Sequence, residues 1–293
     1  MLAWLADDRN LEVFRQGKDI YIEMASKIYG REITKEDKLE RGLGKEAELA
    51  CGYQLWWKTL LTRCWVNGVK IDPVLALQTV KLYRNEHPKI VEFWADINRA
   101  FVECILYGKD TETGRLHFEL HKNVARMFFP SGRCIMYPQP SVKKKIKQSQ
   151  KTADLRSQLK QIGMPNKAVD EACMLHNDEV ESSAGKARQV ACYYRESSTN
   201  YKWVETSTYG GKLTENASQG VACDVLVDAS LRLAADRKRF GNTVMTAHDE
   251  LVQEQKKGRE DLAGMIECMC IVPKWAEGLP LAAEGWTGER YRK

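Results

Sequence analysis

No C-x-x-C pair occurs in these 293 residues, although nine cysteines are spread from position 51 to position 270. That spacing indicates neither a zinc ribbon nor a disulfide framework, and reduced, mostly buried thiols are the expected state. No apolar run is long enough to span a bilayer. The opening MLAWLADDRN has neither the basic flank nor the cleavage signal of a secretory peptide, so a cytoplasmic protein with no membrane partner is expected. No internal repeat is apparent. His117 and His121 stand in HFELH rather than in the H-E-x-x-H order, with no third ligand evident, and read as helix or loop surface.

The chain does have enough apolar residues, 43%, to bury a core in one large domain or two ordinary ones. Its formal charge of +5 is unevenly spread. Between 143 and 160, seven Lys or Arg (143, 144, 145, 147, 151, 156, 160) face the single Asp154. Such a run suits a polyanion, and it equally suits a solvated helix face.

Periodicity divides the chain. Leu11, Phe14, Ile20, Met24 and Ile28 fall at mostly helical steps, with Gly17 as a break and Gly30 as a stop, so two short helices are expected. Thr34 followed by Asp37 resembles a capping box opening a helix over 38–54, and Pro73 and Pro88 punctuate further helices to 107. Strand-like segments follow at 130–140 and 187–212, separated by a basic stretch at 141–186 expected to be helical or mobile. An amphipathic helix is expected over 214–239, entered by a polar loop, and a β-hairpin over 242–255. The fold class is therefore α+β, a helix cluster followed by sheet with flanking helices. The hairpin carries His248, Asp249 and Glu250 near its tip. Either the triplet is a polar turn, or its carboxylates are held there to bind something positive.

LAWLADD, KLERGLGKEAELACGY and TAHDELV occur in the order and at the intervals found in family-A DNA polymerases, the group of bacterial DNA polymerase I and many phage replicases. STYGGKLTENASQGVACDVL and PLAAEGWTGERYRK also resemble phage members, so the resemblance runs through the whole chain. It implies part of a right-hand fold: a palm remnant and the start of the fingers at 1–30, fingers at 31–129, palm strands at 130–212 and palm again at 213–293. It also implies primer-template DNA and deoxynucleoside triphosphates as partners, with two Mg²⁺ ions as cofactors. By the same resemblance Asp249 and Glu250 bind metal and His248 steadies the primer end. Arg41 and Lys45 clamp the triphosphate, with Leu49, Tyr53 and Tyr21 around the nucleotide. Gln219, Asn216, Lys212, Tyr209 and Arg133 hold the duplex.

Leu49 stands where the family has an aromatic, and Ala50 and Gln54 where glycines are common, which touches sugar selection and the hinge of the closing helix. The family's first metal-binding aspartate lies about ten residues upstream of LAWLA, in a D-x-S-x-I-E pattern. The resemblance therefore implies a chain truncated before that aspartate, without thumb or exonuclease, and with a partly bare LAWLA face. Two readings follow: half of a polymerase completed by a separate polypeptide, or a non-catalytic remnant that binds DNA without extending it.

Overall fold

The computed structural model describes residues 1–146, 150–183, 187–199 and 201–291. Its first part is helical: α1 (Leu2–Leu5), α2 (Asn10–Arg15), α3 (Ile20–Tyr29), α4 (Lys38–Cys51), α5 (Trp57–Val66), α6 (Pro73–Glu86) and α7 (Pro88–Tyr107). Local chemistry sets these boundaries. The Asp19 carboxylate accepts the Tyr21 and Ile22 amides to start α3, and Gly30 ends that helix at a φ of 64°. Asp72 caps α6 through the Leu75 amide, and Pro73 and Pro88 open their helices where no amide donor is needed.

The capping-box expectation is corrected: Thr34 lies outside α4, and it is Asp37 that accepts both the Thr34 amide and its hydroxyl. The helix also ends at Cys51 rather than 54, because Gln54 turns to a φ of 64° and its side-chain oxygen accepts the Gly211 amide at 3.0 Å.

Antiparallel sheet begins earlier than the expected 130. Strands β1 (Thr111–Thr113), β2 (Leu116–His121), β3 (Val124–Phe128) and β4 (Cys134–Pro138) pair in sequence order. His117 and His121 thus lie on a strand, where Leu116 and Phe118 alternate with them into the core. Next come β5 (Ser141–Ile146), α8 (Thr152–Gln161), α9 (Asn166–Ser183), β6 (Ala187–Glu196) and β7 (Trp203–Thr208). The basic run is therefore split between a strand and a helix. Lys143 and Lys144 lie on β5, where Lys143 pairs with Glu205, while Arg156 on α8 pairs with Asp170; Lys147 falls outside the described residues.

The last part comprises α10 (Gly210–Ala235), α11 (Arg237–Phe240), β8 (Asn242–Ala247), β9 (Glu250–Glu254) and α12 (Leu262–Met269). Helix α10 starts before the expected 214, so Lys212 stands on a helix and not on an entering loop. One core joins Trp4, Leu43, Trp57, Phe101, Phe118, Tyr137 and Leu213; a smaller one gathers Ala229, Leu233, Phe240 and Leu251. Helix α10 runs from the first to the second, about 39 Å at 1.5 Å per residue. The LAWLA face is covered, not bare: Trp4 and Leu5 are each 2% exposed, and the Trp4 ring N–H donates to the Glu277 carbonyl at 3.0 Å.

The start of α10 touches its neighbours through backbone. A Cβ at Gly210 would stand 2.0 Å from the Trp94 carbonyl oxygen, and one at Gly211 would stand 2.2 Å from that of Tyr53. Neither oxygen can rotate away, so Gly210→Ala is expected to cost about 3 kcal/mol, the upper end of overpacking penalties, in urea unfolding. A loss below about 1 kcal/mol would mean that α7 and α10 can separate without breaking anything else.

Candidate functional site

Two groups of side chains carry chemistry, one on the β8–β9 hairpin and one on α4. The first is the β8–β9 hairpin. Ala247 pairs with Glu250, leaving His248 and Asp249 as a two-residue turn, with His248 at a φ of 54°. Histidine is among the non-glycine residues that accept this left-handed conformation. Leu251 anchors the ribbon in the smaller core, and the tip projects from it. His248 and Asp249 are exposed, and Asp249 makes no hydrogen bond or ion pair among the described residues. Glu250 accepts the Tyr291 hydroxyl at 2.6 Å, a contact that no sequence motif signals, and this bond to the carboxylate holds the Tyr291 phenol above its ordinary pKa.

Adjacent carboxylates offer the hard oxygens that Mg²⁺ takes, and that ion is commonly held by one or two carboxylates completed by water and phosphate. Asp249 and Glu250 fit that part of a site. Among the described residues no group of three or more His, Cys, Asp or Glu side chains could hold a metal by itself.

The second group lies on α4. Leu43, Ala47 and Ala50 face the core, while Arg41, Lys45 and Leu49 follow one another at steps of four along the outer side. Lys45 is exposed and has no partner among the described residues. Arg41 is engaged: its Nε and Nη2 donate to Asp19 Oδ2 at 3.0 and 2.7 Å, and its guanidinium lies 5.4 Å from the centre of the Tyr21 ring. Burial works against a charged Asp19, yet the Arg41 bond and two backbone amides hold that carboxyl below its ordinary range. Tyr21 moves the other way, its phenol pushed up by burial and by the Asp19 charge. Helix α3 can approach this closely because residue 44 is glycine; a Cβ there would stand 2.1 Å from the Tyr21 carbonyl oxygen.

Tyr53 follows the end of α4, half-buried beside Ser218 of α10, and burial raises its phenol. The expected duplex contacts divide. Lys212 and Gln219 are exposed on α10, Lys212 bonded to Glu215 at 2.8 Å, and Tyr209 is 48% exposed just before the helix. Asn216 is turned inward, donating to the Tyr137 hydroxyl at 2.9 Å. Arg133 is occupied by Asp224 and by the Gly220 carbonyl, over the Phe129 ring, so it fastens the β3–β4 turn to α10.

Across its whole length the chain is 30% identical to the DNA polymerase of Bacillus phage SP02, aligned over 298 residues. The match covers 39% of that polymerase, so this chain spans well under half the length of its relative. No family model matches. Among the described residues no helix is long and apolar enough to cross a membrane.

Proposed function

We propose that the chain supplies the fingers and part of the palm of a family-A DNA polymerase, a right-hand fold that transfers deoxynucleotides to a primer 3′ hydroxyl. The observation that carries this reading is an exposed Asp249 at a hairpin tip, without a partner among the described residues, in a chain that aligns from end to end with a phage DNA polymerase. When bound, Mg²⁺ would stabilise the attacking and leaving oxygens of an in-line displacement. Asp249, supported by Glu250, is the group on this chain that would hold it, and His248 beside them contacts the primer end.

The incoming triphosphate is met by α4. Lys45, exposed and without a partner among the described residues, gives a mobile point charge, and Arg41 gives a planar fork whose aim Asp19 fixes from behind. Tyr21 and Tyr53 border the base and sugar, with Leu49 as an apolar wall. Gln219 and Lys212 on the outer side of α10, with Tyr209 just before it, meet the duplex, where polar contacts position DNA without strong sequence choice.

The test exchanges the matching segment of the phage SP02 polymerase for this chain and measures magnesium-dependent primer extension. Extension by the hybrid supports the reading. A hybrid that folds and binds primed DNA yet extends nothing would favour DNA binding without catalysis. Titration of the 293-residue chain with dATP and Mg²⁺ gives a second measure that does not depend on the hybrid. Lys45→Ala is expected to weaken that nucleotide binding by about tenfold to a hundredfold, the worth of one charge-assisted phosphate contact. Duplex affinity should change less. If the duplex effect proved the larger, Lys45 would belong to the template track instead.

A further inference from the structure

His87 joins α6 to α7 and is 2% exposed. Its Nδ1 lies 2.9 Å from Asp8 Oδ1 and its Nε2 3.6 Å from Glu48 Oε1, and both carboxylates are themselves almost wholly buried. A neutral imidazole has one N–H and can serve one of them; an imidazolium hydrogen-bonds Asp8 and presents its second N–H and its charge to Glu48 as an ion pair. The surroundings are ordered about that ion. Asn10 donates its backbone amide to Asp8 at 3.0 Å and its side-chain amide to Glu48 at 3.1 Å, and the Tyr83 ring lies 4.5 Å from the imidazole, centre to centre. Burial disfavours the charged ring, but the two carboxylates outweigh it and push its pKa up to about 9. The Tyr83 phenol of α6 belongs to the ring packed on the imidazole, and the Cys51 thiol of α4 lies within electrostatic reach of Tyr83. Burial pushes both up, Cys51 to about 12, so neither changes charge before His87 does. Arg9 and Lys27 are paired with Glu86, the residue before His87, and Arg84 of α6 lies over the Trp56 and Trp94 rings.

Glu48 is three residues beyond Lys45 on α4, so the two side chains leave the helix on neighbouring stripes. On the other flank, Glu46 accepts Asn67 at 2.8 Å and Arg63 at 3.2 Å. A helix held on one flank can roll about its anchor; held on both, it has one rotational setting.

We propose that His87 is a positioning residue: shared between Asp8 and Glu48, it fixes the rotation of α4 and thereby the direction in which Lys45 meets a nucleoside triphosphate. The inference rests on α4 being the nucleotide-binding helix, and His87 itself touches no nucleotide.

The experiment follows backbone amide exchange and dATP–Mg²⁺ titration on the full chain. In His87→Gln, which keeps a donor but cannot serve both carboxylates, the amides at the end of α4 should exchange about tenfold faster or more, while those of β2 and β3 keep their protection. Nucleotide binding should weaken by roughly tenfold, since a displaced contact loses most of a charge-assisted bond. In the parent, corrected α4 protection should fall as pH rises through about 9, and in the variant it should not. Glu48→Gln tests the same contact by a second route, and the double variant should be little worse than either single one if the two residues act on each other. Unchanged α4 exchange in both variants overturns the proposal. Faster α4 exchange in a chain that never binds dATP would instead remove the nucleotide reading and leave the clamp standing.

Discussion

Asp249→Asn in the hybrid polymerase is expected to lower primer extension by about a thousandfold, equivalent to roughly 4 kcal/mol of transition-state stabilisation. The substitution keeps the size and one oxygen of the side chain and removes its charge. At an exposed hairpin tip with no partner among the described residues, nothing in the fold depends on that charge, so unfolding should be unaffected. Binding of primed DNA should also stay within a few-fold, because it is carried by cations and amides elsewhere. An extension rate within about tenfold of the parent would show that Asp249 holds no catalytic metal.

The second large effect is on stability. His87 has a folded pKa of about 9 against 6.5 for the free side chain, so its contribution is complete below pH 6.5 and is lost as pH rises through 9. The difference corresponds to roughly 3 kcal/mol across that window. One group works in the opposite sense. Burial lowers the pKa of the Met1 amino group, so its ionisation penalises folding at low pH and that penalty fades as pH rises. Comparing urea unfolding of the parent with that of His87→Gln cancels the Met1 contribution. The gap between them should be widest near pH 6 and mostly closed by pH 10, within about 1 kcal/mol. A gap that stays constant over the range would mean that His87 is buried neutral and that its contacts with Asp8 and Glu48 are ordinary packing.

The parts of this architecture governed by neighbours in sequence were legible. The hairpin follows from two apolar segments flanking the polar triplet at 248–250, and the outer face of α4 follows from four-residue steps at Arg41, Lys45 and Leu49. What depended on distant partners was not. The expected helix over 38–54 promised three more helical residues than α4 has, yet Gln54 leaves the helix to meet Gly211, 157 positions away. Strand β2 shows its alternation only once Leu116 and Phe118 are known to face a core. Asp8, Glu48 and His87 are scattered over the first 87 residues as unremarkable polar side chains, and only the packing of α4 against the helices around it brings them together. Arg133, which the resemblance assigns to the duplex, is also bonded to Asp224, 91 positions on, a partner that no local pattern announces.

The cysteines give this helical layer a clock. Cys51 on α4 and Cys64 on α5 are buried, with thiols that burial pushes to a pKa of about 12, whereas Cys223 on α10 lies exposed. An alkylating reagent attacks thiolate, so Cys223 should be consumed first and the two hidden thiols only while their helices are lifted away. Followed site by site, since Cys104, Cys173 and Cys192 are buried as well, the lag between labelling of Cys223 and of Cys51 and Cys64 reads how often the layer opens.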